Sequence, residues 1–244
     1  MPFLNIDLLC VNLCGKHKYK ECNMPLFCSR FTINALQLTI KNRISLYAYH
    51  ISKKYKMNNI AIFASGSGTN AENIINYFSK HPQITVRLLA SNRADAYALT
   101  RAKNHNIPSF VFDKDDFVNN HTIISTLNKH AVDTIVLAGF LWLIPEYLID
   151  AFPQRIINIH PALLPKYGGK GMYGDNVHKA VVSNGEGESG ITIHVIDKEY
   201  DKGVIVLQAK CPVSPSDTPE TVAEKVHALE YEYFPKTIES WLLG

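Results

Sequence analysis

From residue 59 onward, short apolar runs alternate with amphipathic stretches, and nothing else in the chain narrows its fold as far. The runs at 59–64, 84–90, 109–112, 132–138 and 156–159 have strand length and composition. Between them, stretches beginning at Ala71, Ala94 and Asp116 carry helical periodicity, ending near Phe78, His105 and His130. Strands alternating with helices predict an α/β domain: a doubly wound, mostly parallel sheet with helices on both faces. Ligands of such sheets bind beyond the carboxyl ends of the strands. Gly66, Gly139 and Asn158 all fall at such ends, which places them along one crevice.

The first of these ends is a glycine loop, Ser65-Gly-Ser-Gly-Thr-Asn70, feeding a helix. Free N–H groups and the helix dipole make that junction an anion site, and a purely structural glycine turn is the competing reading. The loop lacks the third glycine of a dinucleotide fingerprint, and the second strand runs into Ser91-Asn92-Arg93 where a ribose-binding acid belongs. A single phosphate fits better than a dinucleotide. After Gly139 the loop Phe140-Leu-Trp-Leu-Ile-Pro145 is apolar where a loop should be polar, which by itself predicts a segment tucked under the core.

The stretch with most chemical content is Ile156-Ile-Asn-Ile-His-Pro-Ala-Leu-Leu-Pro-Lys-Tyr167. Pro161, lacking an N–H, stops the strand. Asn158 and His160 stand two apart, so in an extended segment both leave one face. One brings an amide donor, the other a titratable imidazole. Taken alone, Asn-x-His-Pro reads first as a capped turn beside a satisfied core histidine. Further on, residues 190–196 alternate, which puts Thr192 and His194 on one face of a strand. Asp201 stands in a charged turn, where acids are ordinarily solvated. Residues 204–210 read as a last, antiparallel strand, and Thr218-Pro-Glu-Thr begins a helix with His227 and Glu230 three apart on one face.

Asn-Ile-His-Pro followed by Leu-Leu-Pro-Lys-Tyr, with Gly190-Ile-Thr-Ile-His194 and Asp197-x-x-x-Asp201-x-Gly203 downstream, resembles the folate-dependent formyltransferases. The resemblance covers residues 57–244 and lies closest to the branch whose acceptor is 5-phosphoribosylglycinamide. It implies a single catalytic domain that passes a formyl group from 10-formyltetrahydrofolate to that amine, in purine synthesis. It implies catalytic roles for Asn158, His160 and Asp201: oxyanion donor, proton shuttle, and a carboxylate that holds the shuttle. It assigns the substrate phosphate to Gly68, Thr69 and Asn70, the ribose hydroxyls to Glu230, and a supporting place to His194 and Thr192. The folate would contact Leu137, Leu141, Trp142, Leu143, Ile144 and Asp201. Many relatives carry a basic residue in place of Trp142, and some an arginine near Asn120, so two charges that could meet the folate tail are missing here. The glycine-dense segment 168–174 is read as a lid, with a flexible connector as the alternative.

Two family rivals and one unrelated class remain. A formyltetrahydrofolate deformylase gives the formyl group to water but carries a regulatory domain ahead of the catalytic one. A methionyl-tRNA formyltransferase needs an RNA-binding domain beyond residue 244. A non-catalytic nucleotide-binding module would keep the fold without the chemistry, against the intact Asn158, His160 and Asp201.

Composition sets the remaining bounds. Residues 1–56 hold nine Lys/Arg and two acids, a balance of +7, so the overall +3 leaves residues 57–244 at −4. A mildly acidic body argues against nucleic acid as a partner. Four of the five cysteines (Cys10, Cys14, Cys22, Cys28) lie in the first 56 residues, and only Cys211 follows. That is no disulfide framework, and the expectation is a cytoplasmic, reducing setting. No apolar run reaches the roughly 18 residues of a membrane span. Spacings of 8 and 6 between Cys14, Cys22 and Cys28 match no common zinc pattern, so no metal is expected. Residues 1–56 are read as a basic leader, disordered or an upstream extension of a domain starting at Met57. A monomer and a homodimer are equally compatible with the sequence.

Overall fold

The computed structural model describes residues 57–120, 122–169, 171–198 and 203–244; the leader and the candidate cysteine site lie outside the described residues. The described chain runs β1 (Asn58–Phe63), α1 (Thr69–Phe78), β2 (Ile84–Ser91), α2 (Tyr97–Asn104), β3 (Ser109–Val111), α3 (Lys114–Asn119), α4 (Ile123–Lys129), β4 (Thr134–Leu137), α5 (Glu146–Ala151), β5 (Ile156–His160), α6 (Asp175–Ser183), β6 (Glu188–Val195), β7 (Ile205–Pro212) and α7 (Pro219–Leu243). The seven strands form one sheet in the order β3-β2-β1-β4-β5-β6-β7. Pairs among the first five are parallel; β5–β6 and β6–β7 are antiparallel. The expected doubly wound α/β sheet is thus present.

Side-chain alternation along the buried strands builds two cores. Ile60 and Ile62 of β1 pack with Ile74 and Phe78 of α1, Val177 of α6, and Val226 and Phe234 of α7 on one face. Ala61 and Phe63 face the other way, onto Phe117, Leu127 and Leu148 of α3, α4 and α5. Because β1 is covered on both sides, it reads as a continuous apolar run rather than an alternating one. No helix among the described residues is long and apolar enough to cross a membrane.

Two expectations need correction. The single helix from Asp116 to His130 is two helices, broken where Asn120 adopts a left-handed φ of 55°. Its side-chain oxygen accepts from the Ile124 N–H at 3.1 Å, while Asp116 takes the Thr122 N–H at 2.7 Å. Local side-chain acceptors therefore win over helix continuation. The short helix α5 was not expected at all; its six residues give too few turns for a periodic signal.

Helix α7 carries Pro235 in its interior. Proline has no N–H to give the carbonyl four residues back, which is that of Tyr231. Asn73 of α1 donates its amide to that carbonyl instead, at 2.9 Å. The substitution fastens α7 to α1 one turn from the glycine loop.

Candidate active site

At the carboxyl ends of β1, β4 and β5 lies a cavity of about 800 Å³. Its walls bring together the glycine loop, the apolar loop after β4, the end of β5, the segment leading into α6, and the inner face of α7.

The glycine loop is braced from behind. The Ala98 N–H donates to the Gly66 carbonyl at 3.1 Å and the Arg101 guanidinium to the Ser67 carbonyl at 2.9 Å. Arg101 is itself paired with Glu72. With these carbonyls turned toward α2, the amides of the first turn of α1 are left for the cavity. Gly68 is the N-cap and has no side chain to occupy them. Its φ of +73° is left-handed, and an added Cβ would stand 2.5 Å from the Ala98 Cβ. Glycine is required there for both reasons. Thr69 and Asn70 follow on the cavity wall.

Asn70 donates its amide to Glu230 Oε2 at 2.8 Å, and His227 Nδ1 donates to the same oxygen at 2.8 Å. Glu230 is only 5% exposed. The hydrogen bond from His227 holds that imidazole's pKa above its ordinary value, followed by the attraction of Glu230. His178, from α6, faces the same end of the cavity, and burial pushes its pKa down, with the nearby His227 adding to the effect.

Antiparallel pairing of β5 and β6 sets Asn158 opposite His194 and His160 opposite Thr192. The Asn158 amide donates to His194 Nε2 at 3.1 Å, which uses one of its two hydrogens and fixes that ring nitrogen as an acceptor. Both Asn158 and His160 line the cavity, whereas His194 stands fully buried behind Asn158. His160 Nε2 lies 2.8 Å from the Tyr167 carbonyl. A carbonyl can only accept, so Nε2 carries a hydrogen. Tyr167 presents that carbonyl with a left-handed φ of 55°, and its hydroxyl is held by Glu186 and Asn184 at 2.9 Å each.

Thr192 stands behind the cavity wall rather than on it. Its fully buried hydroxyl donates to the Ala162 carbonyl at 2.7 Å and accepts from the Leu164 N–H and the Gln208 amide at 2.9 Å each. Every hydrogen-bonding position of that hydroxyl is used in holding the segment after His160. Asp201 lies outside the described residues; Asp197, four residues earlier, is on the cavity wall.

The loop after β4 supplies the apolar part of the cavity wall. Leu137 and Ile144 are buried, while Leu141 and Leu143 stay about half exposed at the lip. Trp142 joins Phe112, Phe117 and Phe140 in an aromatic cluster. The ammonium of Lys114 stands 4.5 Å from the Trp142 ring centroid. A positive charge therefore reaches the Trp142 position from another element, α3. Sequence reasoning assigned no site role to His178, Lys179 or His227, which also line the cavity. The i, i+3 spacing of His227 and Glu230 was a usable signal; nothing in the sequence singled out His178 from a core histidine between Val177 and Val181.

Residues 58–238 match the family described as formyl transferase. The chain belongs to the formyl transferase family. Its formyl transferase domain is 41% identical over 185 residues to the chloroplastic phosphoribosylglycinamide formyltransferase of Arabidopsis thaliana, covering 73% of this chain and 63% of that protein. The chain thus spans under two thirds of the length of that plant relative. It is 39% identical over 193 residues to phosphoribosylglycinamide formyltransferase of Haemophilus influenzae, covering 77% of this chain and 89% of the relative. The crystal structure of the phosphoribosylglycinamide formyltransferase from Anaplasma phagocytophilum superposes with a TM-score of 0.70 at 33% identity, over 77% of this chain and 88% of that one.

Proposed function

We propose that this formyl transferase moves a formyl group from 10-formyltetrahydrofolate to the amine of 5-phosphoribosylglycinamide. The observation that carries the reading is a helix N-terminus with a bare glycine cap and outward-braced carbonyls, sharing one cavity with Asn158 and His160. A water acceptor would need no such anion cradle. The names of the relatives support the same acceptor.

The residues divide the work along the cavity. Gly68, Thr69 and Asn70 take the phosphate. Glu230, whose Oε2 already accepts two hydrogen bonds, offers its other oxygen to the ribose hydroxyls. Leu137, Leu141, Trp142, Leu143 and Ile144 supply apolar walls for the flat folate ring. The acceptor nitrogen adds to the formyl carbon, the bond from that carbon to the folate nitrogen breaks, and one proton passes from the acceptor amine to the departing nitrogen. Asn158, with its second amide hydrogen, stabilises the oxyanion that forms in between. His160 carries the proton, and Asp201 holds His160. His194 keeps the Asn158 amide turned to its task. Segment 168–174, whose Gly169, Gly171 and Gly174 line the cavity, closes over the substrates.

The test is release of tetrahydrofolate from 10-formyltetrahydrofolate with and without phosphoribosylglycinamide. Release only when the ribonucleotide is present is expected. Equal release without it assigns water as the acceptor, and none in either case leaves a binding module.

A further inference from the structure

We propose that His178 and His227 are the proton-accepting half of the phosphate pocket, so that a phosphomonoester dianion binds there with net uptake of a proton by the imidazole pair. The inference rests on the reading that the glycine loop receives a phosphate.

The first observation is an orphaned atom. His178 is 2% exposed, lines the cavity, and its Nδ1 is buried with no hydrogen-bond partner. Unsatisfied buried polar atoms are costly and rare, and one on a cavity wall marks where a polar ligand sits; Asn70 Oδ1, also buried and unpartnered, can only accept and so suits a hydroxyl rather than the dianion. The second observation is the linkage. The His178 and His227 rings lie 6.4 Å apart, His227 bonds Glu230, and Glu230 bonds Asn70 of the glycine loop. The imidazole pair is therefore tied to the anion cradle through side chains on α6, α7 and α1.

The third step is chemical. A phosphomonoester dianion has only acceptors to offer, so an imidazole nitrogen that meets it must carry hydrogen. In the free protein, burial and the neighbouring His227 hold His178 toward its neutral form, while Glu230 favours charge on His227. A dianion placed beside both rings reverses the balance on His178. The other ionisable groups facing His178 are Asp175 and Lys179 of its own helix, Glu230 of α7, and His160 of β5 across the cavity. Asp175 and Glu230 already favour its protonation, so the added charge works in a prepared field.

Calorimetry on the full chain with ribose 5-phosphate at pH 7.5, in buffers of different ionisation enthalpy, measures the protons exchanged. Net uptake is expected, with affinity rising as pH falls toward 6.5. His178→Asn should abolish most of the uptake and weaken binding about tenfold, the loss of one charge-assisted hydrogen bond. Should His178→Asn fail to fold, His227→Gln tests the same point from an exposed position. Without His227 the free protein protonates His178 more readily, so uptake on binding falls. No uptake in the unaltered protein, uptake unchanged in the variant, or no binding of ribose 5-phosphate overturns the proposal. Uptake lost in the variants without formyl transfer to phosphoribosylglycinamide would keep the proton-linked site and remove the acceptor; transfer without uptake would do the reverse.

Discussion

His160 is held from two directions: its Nε2 bonds the Tyr167 carbonyl, and the segment between them is pinned by the buried hydroxyl of Thr192. Asp201, carried over from the family resemblance, is proposed as the carboxylate that acts through the same ring. Residues that act as one unit lose activity non-additively. Asp201→Asn and His160→Ala should therefore each remove most of the transfer rate, with the double variant scarcely slower than the worse single one; additive losses in single-turnover rates would show that they act separately. At the other end of the cavity, Gly68→Ala adds a left-handed strain of about 1–2 kcal/mol and a Cβ that meets Ala98. The expected result is a lower melting temperature together with a raised KM for the ribonucleotide. Adding Ala98→Gly should restore little of the stability, because the Ala98 Cα also stands 2.6 Å from the added Cβ and stays in place; a full recovery would mean that the methyl–methyl contact alone sets the cost.

At the scale of elements, the packing of α1 beside the glycine loop depends on how α7 is fastened. Asn73 replaces the hydrogen bond that Pro235 cannot supply to the Tyr231 carbonyl. Asn73→Ala is expected to cost about 1 kcal/mol, and to cost less in a Pro235→Ala background, where the helix provides its own N–H. Equal costs in both backgrounds, read from denaturant midpoints, would mean that the bond does not stand in for the one the proline lacks. The start of α7 carries a pH signature. The hydrogen bond from Lys225 comes first, then those from the Ser214 N–H and Thr221, and together they hold the Asp217 carboxyl at about 2. A folded-state pKa below the unfolded one gives stability that is present above the unfolded value and disappears as pH falls through the folded one. Asp217→Asn should thus lower the melting temperature at pH 7, with the difference from the unaltered protein shrinking between about pH 4 and pH 2. A difference that stays constant over that range would separate the effect from ionisation.

For the whole molecule, β1 begins at Asn58 and the family match covers 58–238. We predict that a chain starting at Met57 folds and keeps the transfer activity of the full chain. Its kcat and its circular dichroism should match those of the 244-residue protein, and a truncated chain that aggregates would make the leader part of the fold.

The order of strands and helices, the two-faced core and the glycine loop were legible because each depends on local periodicity and on glycine or proline at fixed offsets. Asn158 and His160 were legible for the same reason, two positions on one extended segment. The sequence did not disclose that β6 lies antiparallel beside β5, which pairs residues more than thirty positions apart, Asn158 with His194 and His160 with Thr192. Nor did it disclose that Thr192 turns its hydroxyl to the backbone, that Lys114 reaches Trp142 from a different helix, or that His178 meets His227. The sequence by itself determined which residues could form each element and which chemical groups the chain possesses. Only the tertiary structure decided which groups face the cavity and which brace its walls, because that depends on strand register and helix packing, set by burial summed over the whole core rather than by any one segment.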